Sequence, residues 1–114
     1  MADDCLFCNM ARGMVPVEKV YDKSGIFAIR DIHPRAPVHI LVIPQRHIPM
    51  VSDLREGDAE VIGEMALAAN AIAIQEGLST SGYRLAFNVG NDAGQSVFHI
   101  HMHLLGGHPL GPEA

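Results

Sequence analysis

The segment Ser96-Val97-Phe98-His99-Ile100-His101-Met102-His103-Leu104-Leu105 carries the strongest pattern in the chain, because histidine and apolar residues alternate along it. Side chains two residues apart share one face of a strand. The pattern therefore predicts a strand with three imidazoles on one face and with the apolar side chains from Phe98 to Leu104 in a core on the other. Neighbouring imidazoles would stand roughly 6.6 Å apart, a spacing at which one phosphate-sized group can touch two of them.

Three histidines on one face are harder to explain than one. A single histidine in a strand is usually a structural residue with its nitrogens hydrogen-bonded. Three buried imidazoles opposite an apolar stripe all need partners for their nitrogens. The pattern leaves three hypotheses open: a metal site, a catalytic site directed at phosphate, or one of each.

The composition limits the classes of function. The chain has 114 residues, of which 48% are hydrophobic and 18% are charged, with a net charge of −5. This size suits one domain, residues 1–114, with an apolar core. An acidic chain without a basic stripe is not expected to bind nucleic acid. No apolar run is long enough to predict a membrane span, and residues 1–5 lack a signal-peptide pattern, so we expect a cytoplasmic protein without membrane partners.

Two cysteines occur close together near the N-terminus, in Cys5-Leu6-Phe7-Cys8. A structural disulfide is not expected in a reducing cytosol. A thioredoxin-like redox pair normally follows a strand and opens a helix, which does not fit this position. The C-x-x-C pair can also supply half of a tetrahedral zinc site, whose other ligands would come from histidines elsewhere in the chain.

The order of predicted elements indicates an α+β fold with a mainly antiparallel sheet. A short helix is predicted over residues 5–12, capped by Asp3 or Asp4, and a long helix over 58–76, ended by Gly77. Strands are predicted at 19–22, 26–31, 38–43 and 83–88, before the histidine strand, which Gly106 and Gly107 end.

The run from His99 to Leu105 resembles the signature of the histidine triad (HIT) family, in which three histidines alternate with apolar residues. Asp31-Ile32, residues 36–44, His47-Ile48, Asn88 and residues 94–97 fall where that family has its recurrent segments. The resemblance covers about residues 5–107 and leaves a short tail, 108–114. The segments that flank the triad, Gly94-Gln95-Ser96 and Gly106-Gly107, resemble the Hint branch, whereas the Fhit branch tends to carry a Pro-Arg pair after its triad.

The resemblance implies a HIT-like fold with a five-stranded sheet, one long helix and one short helix. It also implies a homodimer in which two sheets join into one of ten strands. The implied activity is hydrolysis or nucleotidyl transfer at the α-phosphate of purine nucleoside 5'-phosphoramidates, through a nucleotidyl-histidine intermediate. No organic cofactor is implied.

The same resemblance assigns catalytic roles. His101 would be the nucleophile, with a main-chain carbonyl fixing its tautomer, and a neutral imidazole is a good nucleophile near pH 7. His103 would donate to the phosphoryl oxygens, Ser96 would contact the phosphate and the leaving group, and His39 would support the triad through hydrogen bonds.

Further residues would bind the nucleotide. Asp31 would accept hydrogen bonds from the ribose, beside Ile32, although a carboxylate at a strand end can also be a turn cap. Backbone amides of the glycine-containing segment before the triad would add to the anion site. The base would lie in an apolar slot, and Asn88 would lie near the leaving group. The amide segment comprises Gly94, Gln95, Ser96 and Val97, and the slot comprises Leu6, Phe7, Met10 and Ile29.

In bacterial-type members of the family, the first histidine of the triad joins a C-x-x-C pair. The corresponding set here is Cys5, Cys8, His47 and His99, which would form a closed structural zinc site. The alternative is two buried thiols beside two hydrogen-bonded histidines. His33 and His108 have no assigned partner and are expected at the surface.

Two other functions remain open at this point. The chain could be a dinucleoside-polyphosphate hydrolase, or a nucleotide-binding regulatory module with weak turnover. The resemblance does not extend to the tail after Gly107, which has no aromatic residue. It therefore implies no preference for a leaving group.

Overall fold

Five strands form one antiparallel sheet in the computed structural model, which describes residues 4–112. Their order across the sheet is β1-β2-β3-β5-β4, and every neighbouring pair is antiparallel. The strands are β1 (Tyr21–Lys23), β2 (Ile26–Arg30), β3 (Val38–Pro44), β4 (Tyr83–Ala86) and β5 (Met102–Gly106). The very apolar β3 is central, as its sequence predicts for a strand covered on both faces.

Each face of the sheet is covered by one of two α-helices. The long helix α2 (Ala59–Gln75) buries Met65, Ala69 and Ile72 against one face, whereas the short helix α1 (Leu6–Ala11) packs on the other. Successive side chains of a strand point to opposite faces, so β2 and β3 supply both cores. The α+β prediction is confirmed. Among the described residues, single-turn 3-10 helices lie in the connections at Val51–Asp53, Glu56–Asp58 and Asn91–Ala93.

The short helix α1 begins differently from the prediction. Its N-cap is Cys5, whose Sγ accepts a hydrogen bond from the Cys8 backbone N–H at 3.4 Å. Asp4 therefore does not cap it, and Asp3 lies outside the described residues. A thiol in the N-cap position places both cysteines on the first turn, where their sulfur atoms approach each other.

The predicted histidine strand is shorter than the alternating pattern suggests. Only residues from Met102 onward pair with β3, while His99 and His101 precede the strand. Pro44 would stand opposite Ile100 in a longer ladder, and it has no N–H to donate. Ile100 instead donates its N–H to the Ile48 carbonyl at 2.6 Å. The segment therefore turns away from the sheet. Its apolar face is buried as predicted from Ile100 onward, but Phe98 is exposed.

The pair Gly106-Gly107 has a packing role beyond ending the strand. A Cβ on Gly106 would lie 2.9 Å from Leu78 Cδ1, and one on Gly107 would lie 2.8 Å from Pro37 Cβ. Gly107 also has a φ of 103°, which a side chain disfavours. Gly106 itself is the last residue of β5, so the strand ends at the predicted glycine pair. No helix among the described residues is long and apolar enough to cross a membrane.

Candidate active site and metal centre

A cavity of about 390 Å³ opens on the sheet face that carries α1. Its walls come from α1, from the ends of β2 and β3, from β5 and from the loop before the triad. Every residue predicted to be catalytic or to bind nucleotide lines it: Leu6, Phe7, Met10, Ile29, Asp31, Ile32, His39, Asn88, Gly94, Gln95, Ser96, Val97, His101 and His103. The structure thus brings the whole predicted set together, and we call this space the nucleotide pocket.

The middle histidine of the triad has one nitrogen free. His101 Nδ1 lies 2.8 Å from the carbonyl oxygen of His99. A carbonyl can only accept, so Nδ1 carries the proton and Nε2 of the neutral ring has an unshared electron pair. Burial lowers the pKa of His101, which keeps the ring neutral. Such a nitrogen, at the wall of the pocket, can act as a nucleophile.

The carbonyl that orients His101 is itself fixed by the backbone. The peptide between His99 and Ile100 is planar, so its N–H and C=O point in opposite directions. Since the N–H donates to the Ile48 carbonyl, the carbonyl of His99 is aimed at His101. The His101 ring also contacts the Phe7 ring edge-on, with 5.1 Å between centroids.

The third histidine of the triad is held by a relay of hydrogen bonds. The Arg35 N–H donates to His39 Nδ1 at 3.1 Å, so in neutral His39 the proton is on Nε2. That Nε2 lies 2.9 Å from His103 Nδ1 and 3.4 Å from Asp31 Oδ2. Because His103 Nδ1 accepts, its Nε2 carries a proton. The support predicted for His39 is therefore present in the geometry.

Burial keeps this relay uncharged. It lowers the pKa of His39, and it lowers the pKa of His103 to about 4, with further contributions from His101 and His39. At neutral pH His103 is therefore a neutral donor. Its Nε2 lies 3.4 Å from Nδ2 of Asn88, and both groups carry hydrogen. Two adjacent donors cannot satisfy each other, but they can both donate to one anionic oxygen placed between them.

Asp31 has a structural contact as well as a position in the pocket. Its Oδ1 accepts from the His33 backbone N–H at 2.8 Å, so the turn-cap interpretation also holds. The side chain of Ile32 is exposed at the rim, as is His33, in agreement with the surface position expected for that histidine. His108 is also exposed.

The loop before the triad contributes fewer amides than predicted. The Gly94 N–H donates to the Asn91 carbonyl, and the Gln95 N–H donates to the Gly90 carbonyl. These two amides already have partners within the loop, so their contribution to an anion site stays a prediction. The buried Gln95 side chain bonds to Gly90, Pro49 and Val97, which ties the loop to the domain. The amides of Ser96 and Val97 remain as candidates.

A second group of side chains lies beside α1, and we call it the thiol cluster: Cys5, Cys8, His47 and His99. The ligand atoms of all four lie within 4.8 Å of one another. Nδ1 of His99 is 3.3 Å from Cys5 Sγ and 3.2 Å from His47 Nδ1, and Cys8 Sγ is 3.4 Å from His47 Nδ1. A tetrahedral zinc site has ligand-to-ligand edges of roughly 3.3 to 3.8 Å.

The chemistry of the thiol cluster also fits a metal. His99 Nε2 donates to the Pro44 carbonyl at 2.7 Å, so Nδ1 presents its lone pair to the thiols. Without an ion, burial and the neighbouring Cys5 raise the pKa of Cys8 to about 11. A bound cation would favour the thiolate instead. The donor set and spacing match a closed Cys2His2 centre, which has no open position for a substrate.

Asp31, His39 and His103 also place one ligand atom each within 4.8 Å of the others. Their hydrogen bonds argue against a metal there. The only nitrogen that His39 could offer is Nε2, and this atom carries the proton because Nδ1 accepts from Arg35. We call Asp31, His39, His101 and His103 together the pocket network.

Sequence reasoning missed five residues that line the nucleotide pocket. Leu41 could have been found, because it lies two residues after His39 on the same strand face. Arg35 gave no periodic signal, since it lies in an irregular proline-containing loop. The missed residues are Arg30, His33, Arg35, Leu41 and Ala93.

The comparisons with known proteins agree with this geometry. Residues 12–110 match the HIT domain family. This chain belongs to the HIT family. It is 46% identical over 112 residues to the purine nucleoside phosphoramidase of Escherichia coli (strain K12), a match that covers 98% of this chain and 94% of the relative. The prediction of the family and of its five-stranded fold is confirmed.

Two solved structures extend the likeness. The HIT family hydrolase of Legionella pneumophila superposes with a TM-score of 0.92 at 45% identity, covering 95% of this chain and 96% of that one. A zinc-bound histidine triad family protein of Mycobacterium smegmatis superposes with a TM-score of 0.78 at 34% identity, covering 92% of this chain and 76% of that one. The thiol cluster is thus found in a family in which one member of known structure binds zinc.

Proposed function

We propose that this HIT-family chain is a hydrolase of purine nucleoside 5'-phosphoramidates, which releases an amine and a nucleoside monophosphate such as AMP. The observation that carries the proposal is the hydrogen bond from His101 Nδ1 to the His99 carbonyl, which leaves Nε2 unprotonated at the pocket wall. The 46% identity to a purine nucleoside phosphoramidase supports the same substrate class.

The nucleotide would lie along the pocket with its base toward α1. Phe7, Met10 and Ile29 are buried there and offer an apolar slot, while Leu6 is half exposed at its edge. Asp31 lines the same pocket, 3.4 Å from His39, and its carboxylate can accept hydrogen bonds from ribose hydroxyls. The α-phosphate would then lie against the triad.

In the first step, His101 Nε2 donates its electron pair to phosphorus and forms an N–P bond. The bond from phosphorus to the substrate amine breaks, and its electrons leave with the amine. The amine nitrogen needs a proton, and the exposed Ser96 hydroxyl is the candidate donor. His103 and Asn88 donate to the phosphoryl oxygens as charge develops on them.

In the second step, water attacks phosphorus and the N–P bond breaks. The electrons return to Nε2, the water gives a proton to the Ser96 oxygen that donated one in the first step, and the nucleoside monophosphate is released. His101 Nδ1 keeps its proton throughout, because the fixed carbonyl of His99 continues to accept the hydrogen bond from this N–H. The tautomer that made the nucleophile is therefore restored without rearrangement.

The thiol cluster would hold zinc as a structural ion. Bound there, zinc would supply a cross-link between α1, the loop after β3 and the segment before β5. Its ligands would be Cys5, Cys8, His47 and His99. These four would complete a tetrahedral coordination and leave no position open for a substrate. The ion would keep α1 in place as a wall of the nucleotide pocket.

The homodimer and the cytoplasmic location remain part of this proposal. The free edge of β4 and the exposed Leu85 on it offer a surface on which a second sheet could continue the first. Leu67 and Ile74 on α2 are also exposed. Sedimentation equilibrium of wild type and Leu67→Glu would test the dimer.

The decisive experiment compares wild type with His101→Asn on adenosine 5'-phosphoramidate. Asparagine keeps a polar group of similar size but has no basic nitrogen, so we expect turnover to fall at least about 1000-fold. AMP binding, measured by calorimetry, should remain within a few-fold of wild type. Turnover that survives the substitution would exclude His101 as the nucleophile.

A further inference from the structure

The two cysteines of the thiol cluster differ in their access to solvent. Cys5 is half-buried and lines a surface groove of about 390 Å³, whose walls include the exposed residues Asp4, His47 and Phe98. We call this space the thiol groove. Cys8 is buried and is not among its lining residues. A small solute in the groove therefore meets the Cys5 sulfur first, with the second thiol enclosed behind it.

The two sulfur atoms are also positioned to form a bond with each other. Cys5 is the N-cap of α1, and its Sγ accepts a hydrogen bond from the Cys8 backbone N–H at 3.4 Å. The two Sγ atoms lie within 4.8 Å of each other. In contrast to the expectation from the sequence, the C-x-x-C pair does open a helix, as redox-active pairs of this spacing do.

The reduced pair is stabilised by imidazoles. Cys5 Sγ lies 3.3 Å from Nδ1 of His99, and Cys8 Sγ lies 3.4 Å from Nδ1 of His47. Because His99 Nε2 donates to a carbonyl, its Nδ1 can only accept. A disulfide has no hydrogen to donate, so its formation would leave this fully buried nitrogen without a donor. The fold thus favours the dithiol, and a disulfide here would belong to the easily reduced kind.

The helix that carries both thiols is also a wall of the nucleotide pocket. Phe7 lies between the two cysteines in the chain, lines the pocket and contacts the His99 ring edge-on, with 5.8 Å between centroids. Leu6, Ser96 and Val97 line both the nucleotide pocket and the thiol groove. A change in the contacts that hold α1 against His99 therefore reaches the slot proposed for the base.

We infer that Cys5 and Cys8 are a reversible modification site, which forms a disulfide by exchange with a small-molecule disulfide and thereby loosens α1 at the nucleotide pocket. The bond and a metal ion in the thiol cluster exclude each other, since both require the same two sulfur atoms. Formation of the disulfide does not depend on the proposed function, whereas its effect on nucleotide binding rests on it.

The exchange proceeds in two balanced steps. Cys5 loses its proton to solvent, and its sulfur attacks one sulfur of the reagent, whose S–S bond breaks and releases one thiolate. Cys8 then passes its proton to His47 Nδ1, 3.4 Å away, and its sulfur attacks Cys5 Sγ. The mixed disulfide breaks and the second thiolate leaves. The protein has lost two electrons, which the reagent has gained.

The first test treats metal-free wild type with mixtures of oxidised and reduced glutathione. Remaining thiols are then blocked with N-ethylmaleimide and counted by mass spectrometry. We expect both cysteines to become protected together and to react again after excess reduced glutathione. In zinc-loaded protein the reaction should be at least about tenfold slower, because a metal would hold both thiolates. A glutathione adduct that persists in wild type, or metal-free protein that does not react, would overturn the inference.

Single substitutions separate the roles of the two thiols. In metal-free Cys8→Ser, the reaction should stop at a glutathione adduct on Cys5, since no second thiol follows. In metal-free Cys5→Ser, the buried Cys8 should react at least about tenfold more slowly than Cys5 does in the other variant. Circular dichroism checks that both variants are folded. Equal reaction rates of the two variants would contradict the assigned order of attack.

Melting temperature and AMP binding show whether the disulfide loosens α1. The dithiol and disulfide forms of wild type are compared without metal, so that only the S–S bond differs. The disulfide should lower the melting temperature by roughly 5 °C and raise the Kd of AMP about tenfold, because a buried hydrogen bond is lost. The variant with both Cys5→Ser and Cys8→Ser is the matched control, and the same oxidant should leave its Kd unchanged.

The two readouts keep this inference apart from the proposed function. Equal melting temperatures of the dithiol and disulfide forms would overturn the loosening of α1, whatever the AMP affinity. A lower melting temperature with an equal Kd for AMP would overturn the coupling to the pocket. A protein that binds AMP in neither form would contradict the proposed function, while thiol protection and melting would still decide the disulfide.

Discussion

The thiol cluster and the pocket network are built from the same histidine motif but present their nitrogens in opposite ways. In the thiol cluster, the side chain of His99 is fully buried and its lone pair faces two sulfur atoms. In the pocket network, His101 presents its lone pair, and His103 its proton, at the wall of an open cavity. The ligand atoms of the thiol cluster face one another, whereas the nitrogens of the pocket network face an open cavity.

The difference comes from what each histidine bonds with its second nitrogen. A carbonyl acceptor keeps the proton on the nitrogen that donates to it and leaves the other nitrogen unprotonated, as for His99 with Pro44 and for His101 with His99. An imidazole donor does the reverse, as for His103 beside His39. Three residues of one type thus suit three different proposed roles, those of a metal ligand, a nucleophile and a hydrogen-bond donor. Substitutions in the two groups should accordingly change different properties.

The largest effect on stability should come from Cys8→Ser. Loss of a zinc ligand from a closed site removes a cross-link between α1 and the sheet, so we expect about 3 kcal/mol less stability and a melting temperature lower by roughly 10 °C. The measurement is thermal unfolding with zinc analysis of the purified protein. A chelator should reproduce the shift in wild type and have no effect on Cys8→Ser. A wild-type protein that lacks zinc and melts unchanged with chelator would support two free thiols instead.

His39→Leu should reduce turnover by about tenfold, since one buried hydrogen bond that orients His103 is lost. His39→Gln can still donate from its side-chain amide and should recover part of that loss. Comparing kcat for the two variants distinguishes positioning from packing, because leucine fills the space and glutamine restores the donor. Equal losses in both variants would show that the imidazole itself is required.

The pocket network should also make stability depend on pH. His103 has a folded-state pKa of about 4, below its unfolded value of about 6.5. Between these values the unfolded chain binds more protons, so the free energy of unfolding falls as the pH falls from about 6.5 toward 4. His103→Asn should flatten this part of the curve, measured by urea unfolding at several pH values. An unchanged slope would mean that other groups cause it.

The sequence alone predicts part of the sheet and part of each of the two side-chain groups. The strands and the central position of β3 could be predicted, because β3 is continuously apolar and the triad segment alternates. The resemblance to the HIT family supplied the residues of both groups. What the pattern could not show is where the histidine strand begins. That depends on Pro44, which would face Ile100 in a longer ladder and has no N–H to donate there, and the two residues are far apart in the sequence.

The same limit applies to the amides and to the cavities. Gly94 and Gln95 have the composition of an anion-binding loop, but their N–H groups are taken by carbonyls of the same loop. Arg35 shows no periodicity and became visible only when the fold placed it between the nucleotide pocket and a neighbouring cavity. Backbone hydrogen bonds within a loop, and residues that line two cavities at once, arise only in the folded chain. They therefore cannot be predicted from the sequence pattern.

The smallest effect that we expect is that of metal removal on kcat. His99 belongs to the thiol cluster by its side chain and orients His101 by its carbonyl, so the two groups meet at one residue. The carbonyl, however, is aimed by the bond from the Ile100 N–H to the Ile48 carbonyl, which needs no metal. Metal-free protein, assayed well below its melting temperature, should therefore keep kcat within about threefold of the zinc-loaded protein. A tenfold lower kcat with an unchanged circular dichroism spectrum would show that the cluster, and not the peptide plane, positions the nucleophile.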